Sequence, residues 1–201
     1  MISELIFDVE TKKLFSDITT DDPGDLGVSI VSIYARELNE VFEEVSGEMR
    51  SFWEKDFESM WPLFEKADRI IGFNSLKFDV PALQPYTTMN FSSLKHFDIM
   101  DIVRQKTGRR IGLSALAKET IGEDKTDVGT NAVIYWAKGD VESLTKLQMY
   151  CEADVALTRD LYDFGRKNKI VKYRDKWNNN TVIDIDFSYP KKKEDPQIGL
   201  F

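Results

Sequence analysis

The chain has 201 residues, 42% of them hydrophobic and 12% aromatic, enough for one domain with a sizeable core and small appendages. No apolar run approaches the roughly 20 residues that cross a bilayer, and the N-terminal MISELIFDVE lacks the basic-then-apolar pattern of a secretory signal. The net charge of −8 argues against a protein that coats nucleic acid, and leaves room for an enzyme that grips a few nucleotides through local charge.

Residues 2–9 form a short apolar run that predicts a buried central strand. A loop over 16–25 follows, with turn chemistry at Pro23-Gly24. Residues 26–37 and 39–47 read as the second and third strands of an antiparallel meander. Over 51–66, Phe52, Trp53, Phe57, Met60, Trp61 and Phe64 recur at helical spacing and predict an amphipathic helix. Residues 69–74 are another short buried strand, and 79–86 open a short helix with Pro81 in its first turn, where a missing N–H is tolerated. Residues 96–108 run from a strand end into a helix stopped by Gly108. Further helices are expected at 112–122, 131–140 and 139–165, then a hairpin over 169–187 turning at Asn178–Asn180. The polar, proline-punctuated stretch 188–201 reads as a flexible tail. Three strands, a helix, a further strand and then mostly helices predict an α/β fold on one mixed sheet.

Charge is unevenly spread. Residues 1–60 hold 15 acidic and 5 basic side chains, whereas 166–176 hold 6 basic and 1 acidic. Such a basic block is either a solvated surface or the edge of a groove. The lone Cys151 cannot form an intrachain disulfide, which fits a reducing, cytoplasmic setting.

The chemistry lies in four carboxylates: Asp8 and Glu10 in LIFDVET, Asp79 in GFNSLKFDVPAL, and Asp154 in YCEADVALT. Asp8 and Glu10 are two apart in a strand, so both face one way. Tyr150 and Asp154 are four apart in a helix, so phenol and carboxylate share a face. Acids gathered in a poorly solvated place repel one another, and a divalent cation with oxygen ligands is the simplest neutraliser. Taken singly, Asp79 reads equally as a helix cap and Asp154 as a surface residue.

Together, Asp8-x-Glu10, Asn74-x-x-x-Phe78-Asp79 and Tyr150-x-x-x-Asp154 resemble, in order, the three motifs of the tyrosine branch of the DEDD 3′–5′ exonucleases. The likeness covers residues 1 to about 165 and is nearest to the proofreading exonuclease domain of family B DNA polymerases. It implies a ribonuclease H-like mixed sheet flanked by helices over 1–165, with a hairpin extension over 166–187 and the tail over 188–201. It also implies two Mg2+ or Mn2+ ions. Asp8, Glu10 and Asp154 would hold the ion of the attacking water, Asp8 and Asp79 would serve the second, and Tyr150 would orient the nucleophile. The histidine branch needs a histidine where Met149 stands, so the single His96 is expected to be a packed, hydrogen-bonded strand-end residue.

Asn74, Phe78 and Lys125 are candidate substrate-binding residues, with Arg109 and Arg110 in loops that could meet phosphates. Phe7, Phe78 and Trp136 could wedge between bases, with core packing the ordinary alternative for an aromatic. Gln197, Leu200 and Phe201 at the C-terminal end resemble the short peptide that bacterial replication proteins insert into the sliding clamp. A clamp partner would favour DNA over RNA as substrate and raise the protein's effective concentration at DNA. The expectation is a monomeric nuclease of DNA 3′ ends, with an exoribonuclease or a non-catalytic nucleic-acid or clamp adaptor as alternatives.

Overall fold

The structure, a computed structural model, describes residues 1–125 and 129–189. Its centre is a five-stranded mixed sheet built from β1 (Ile2–Thr11), β2 (Val28–Leu38), β3 (Glu44–Trp53), β4 (Arg69–Gly72) and β5 (His96–Asp98), in the order β3-β2-β1-β4-β5. The first three strands pair antiparallel, while β4 and β5 join parallel to β1. Strand β1 is therefore central, and its Leu5-Ile6-Phe7 stretch is buried on both faces.

Alternation along β1 sorts its side chains into two cores. Leu5, Phe7 and Val9 enter one cluster with Phe64, Phe91 and Val80. On the other face, Ile6 packs among Val155, Leu161 and Tyr162 of α6 (Val141–Asn168), the longest helix of the described residues. Helix α6 runs antiparallel to β1: Cys151 touches the Asp8 carbonyl, and Tyr162 reaches Glu4. The short helices are α1 (Trp61–Lys66), α2 (Asp79–Leu83), α3 (Ile99–Thr107), α4 (Leu113–Ile121) and α5 (Gly129–Lys138). A hairpin of β6 (Ile170–Arg174) and β7 (Asn180–Asp184) closes the fold, and Ile185 and Phe187 pack beneath α6.

Several boundaries differ from expectation. The third strand is Glu44–Trp53 rather than 39–47, because the Asn39 carboxamide accepts from the Val41 and Glu43 N–H groups and turns the chain there. The aromatic-rich stretch 51–66 is shared by the end of β3, a 3-10 turn over Glu54–Ser59 and α1. Pro62 cannot donate a helical hydrogen bond, so the α-helix begins beside it instead of running through it. Helix α6 continues past Gly165 to a left-handed Lys169, since Gly165 sits under the Phe187 ring and does not end the helix. In the last hairpin the turn falls at 175–179, where the Asp175 carboxylate caps the Trp177 and Asn179 N–H groups.

Candidate metal centre

Asp8 and Glu10 lie on the β1 face covered by α6, and the first half of that helix brings Tyr150 and Asp154 down onto them. One carboxylate oxygen from each of Asp8, Glu10 and Asp154 falls within 4.8 Å of the others. Glu10 and Asp154 are buried, while part of Asp8 stays open to solvent. Asp79 stands outside this trio. It begins α2, and its Oδ1 accepts the Val9 backbone N–H at 3.2 Å, which ties the 74–79 loop to β1 beside the acids. The helix-cap reading of Asp79 is thereby replaced by a bond across 70 residues of sequence.

The electrostatics follow from this crowding. Burial first, then the charges of Asp154, Asp79 and Glu10, push the Asp8 carboxyl well above the carboxylate range. Burial raises Asp79 to about 7 despite its backbone hydrogen bonds. Burial also raises Asp154, against the pull of Lys125 and the Tyr150 hydroxyl. The Lys125 ammonium bonds Asp154 Oδ2 and lies 3.4 Å from the Tyr150 hydroxyl. Burial opposes its charge, but Asp8 and Asp154 outweigh that and hold its pKa above the ordinary value. Burial, followed by Asp154, Glu10 and Asp8, drives the Tyr150 phenol far up, so it stays protonated across the neutral range. The Cys151 thiol, buried against Asp8, is raised likewise and stays neutral.

The remaining residues singled out from sequence are divided. Asn74 takes a left-handed backbone, and its Oδ1 accepts from Arg110 rather than facing the acids. Phe78 is half-buried edge-on to Phe15. Phe7 is not a wedge, being 1% exposed and packed edge-on against Phe64 and Phe91. Trp136 stays half-exposed beside Trp53. Arg109 is exposed. His96 at the start of β5 is bonded through Nε2 to the Phe91 carbonyl at 2.8 Å. In the basic block, Arg166 reaches the Phe42 carbonyl at the far end of the sheet, so it does not edge the acid centre. Gln197, Leu200 and Phe201 lie outside the described residues.

Asp98 escaped sequence reasoning. It is 4% exposed and accepts the backbone N–H groups of Asn74, Leu76 and Asp101, so one carboxylate pins the loop that delivers Asp79. Its only local signal is that of an N-cap between a strand and a helix. A cleft of about 610 Å³ opens by Ser3, Arg36, Gly47 and Lys66 and contains none of the site acids. What marks the site is the convergence of its carboxylates.

A cation fits the donor set. The ligands offered are all carboxylate oxygens, suited to a hard divalent ion. Asp154 Oδ1 is buried with no hydrogen-bond partner among the described residues, an acceptor facing an uncompensated desolvation cost. No helix is long and apolar enough to cross a membrane, among the described residues. A family model, that of the RNase_H superfamily, matches residues 5–164, from β1 through nearly all of α6. A search of curated proteins finds no match.

Proposed function

The chain belongs to the RNase H superfamily, and from that premise we propose that it is a metal-dependent 3′–5′ exonuclease that hydrolyses phosphodiester bonds at DNA 3′ ends. The observation that carries this reading is the convergence of Asp8, Glu10 and Asp154 around the unpartnered Asp154 Oδ1. Asp8, Glu10 and Asp154 would hold one Mg2+ or Mn2+ ion, and Asp8 with Asp79 a second. Bound ions supply Lewis-acid charge to the attacking and leaving oxygens of an in-line displacement.

The protein's own groups prepare that reaction. Burial and the neighbouring acids push the Tyr150 phenol well above its usual range, so its hydroxyl is proposed to orient a water or phosphate oxygen by hydrogen bonding rather than act as the base. Lys125 offers the one ammonium bonded into the acids among the described residues, placed to meet a phosphate oxygen once substrate enters. Loop 74–78, fixed by Asp98, sets the position of Asp79. The Gln197, Leu200 and Phe201 end is proposed to tether the protein to a sliding clamp, which favours DNA as the substrate.

The test is digestion of end-labelled DNA and RNA oligonucleotides of matched sequence. Mg2+ or Mn2+ should give stepwise shortening of 5′-labelled DNA from its 3′ end, with silence in EDTA. Preferential trimming of the RNA would move the assignment to an exoribonuclease, and binding without cleavage to an adaptor. Deleting 197–201 should abolish capture by a clamp and leave digestion of short free oligonucleotides unchanged.

A further inference from the structure

Beside the acids lies a second, unassigned feature on the same sheet face. Glu10 of β1 is directly opposite Ile30 of β2, and Ile30 is directly opposite Trp53 of β3. Residues paired in this way share a face, so Trp53 stands two strands from Glu10, about 10 Å across the sheet. The Trp53 indole stacks on Trp136 of α5, with ring centroids 6.4 Å apart and planes inclined by 23°. Both rings pack against the cluster of Ile30, Leu147, Tyr150 and Cys151, so the pair is continuous with the floor of the acid centre. Both also remain half-exposed, and with Lys55 and Leu144 they line an open cleft of about 360 Å³. That size falls within the roughly 300–1,000 Å³ of small-ligand sites.

Single exposed aromatics are ordinary on protein surfaces, but two stacked indoles sharing one cleft form a flat platform. Positive charge flanks it. Lys12, just past the end of β1, sits 5.3 Å above the Trp136 ring and pairs with Glu54 at 2.6 Å. Lys55 lines the cleft itself, as does Glu54. An apolar π-surface with two ammonium groups beside it, next to a phosphodiester-cutting centre, matches an unpaired nucleobase with its neighbouring phosphates. We infer that Trp53 and Trp136 form a base-stacking subsite that holds single-stranded nucleic acid beside the acid centre. The inference deepens the nuclease reading and rests on it for the occupant. Bases inside a duplex are covered on both faces and only the end pair exposes one, so the subsite favours frayed or single-stranded ends.

The test is binding, in EDTA, of a fluorescein-labelled oligothymidylate and a blunt duplex to the full-length protein, read by anisotropy. Trp136→Leu keeps an apolar side chain and removes the aromatic face, whereas Trp136→Phe keeps an aromatic face, and both lose volume. Stacking predicts a roughly 5- to 100-fold weaker single-strand Kd for Trp136→Leu, near-normal binding for Trp136→Phe, and unchanged duplex binding for both. Wild-type single-strand affinity in Trp136→Leu, or equal losses in the two variants, overturns the subsite. A protein that shows the predicted pattern and cuts nothing with Mg2+ or Mn2+ keeps the platform and loses the nuclease reading. One that cuts normally while Trp136→Leu binds like wild type loses only the platform.

Discussion

At the scale of single residues, the acids were legible because their spacing maps directly onto element geometry. Two apart on a strand and four apart on a helix place Asp8 with Glu10 and Tyr150 with Asp154 whatever the tertiary fold. Asp8→Asn or Asp154→Asn should lower Mg2+-dependent digestion by at least about 100-fold, since ligand loss exceeds the effect of changing a ligand's support. What spacing could not show is the Asp79 bond to Val9, which depends on distant segments meeting. Its raised pKa has a consequence for stability. The folded carboxyl titrates near 7 against an ordinary 3.8, so the folded state holds its proton more tightly. That contribution is complete below about pH 4 and is lost as pH rises through 7. In EDTA the protein should lose stability over this window, and Asp79→Asn should remove a few kcal/mol of the loss. Mn2+ should reverse the trend, because its ligands must be deprotonated to bind. Melting curves at several pH values, with and without Mn2+, check the sign.

At the scale of elements, the sequence places two strands and the longer helices but misplaces the third strand. β1 and β4 are built around the short apolar stretches Leu5-Ile6-Phe7 and Ile70-Ile71 and read correctly, but the aromatic period over 51–66 reports burial, which a strand end, a 3-10 turn and a short helix share equally. Periodicity detects a buried face and not the backbone that presents it. Asp98 was hidden for a related reason: its capping of α3 is local, while its grip on the 74–78 loop spans more than 20 residues. Asp98→Ala strands three buried or half-buried N–H donors and should cost about 2–4 kcal/mol. Hydrogen exchange should report the loss first at Asn74 and Leu76. Gly165 makes a second such point within α6. A methyl there would meet the Phe187 ring at 2.5 Å, and that ring is wedged beneath the helix. Gly165→Ala should therefore destabilise the protein by about 1–3 kcal/mol despite alanine's better helix propensity, a loss that urea titration can measure.

At the scale of the whole molecule, β1 carries charge at both ends. Opposite the acid centre, the buried Glu4 carboxylate receives Arg36 at 2.6 Å, and the Tyr162 and Tyr189 hydroxyls each at 2.8 Å. Arg36 also forks onto Asp163, with both bonds at 2.7 Å. Arg69 donates to the Phe187 and Ser188 carbonyls and lies 3.6 Å from the Tyr189 ring. These bonds seat the stretch after β7 against the sheet. Glu4→Leu would leave Arg36 with one partner fewer in a buried place, and should cost about 3–5 kcal/mol in urea unfolding. Glu4 and Glu10 are six residues apart on one extended strand, which places the two charged ends about 20 Å apart. Tyr189, bonded to Glu4, therefore lies at the pole opposite the acids. A dye or surface held at that pole stays about 20 Å from the acids, so protein immobilised or labelled there should keep its acid centre open to solution.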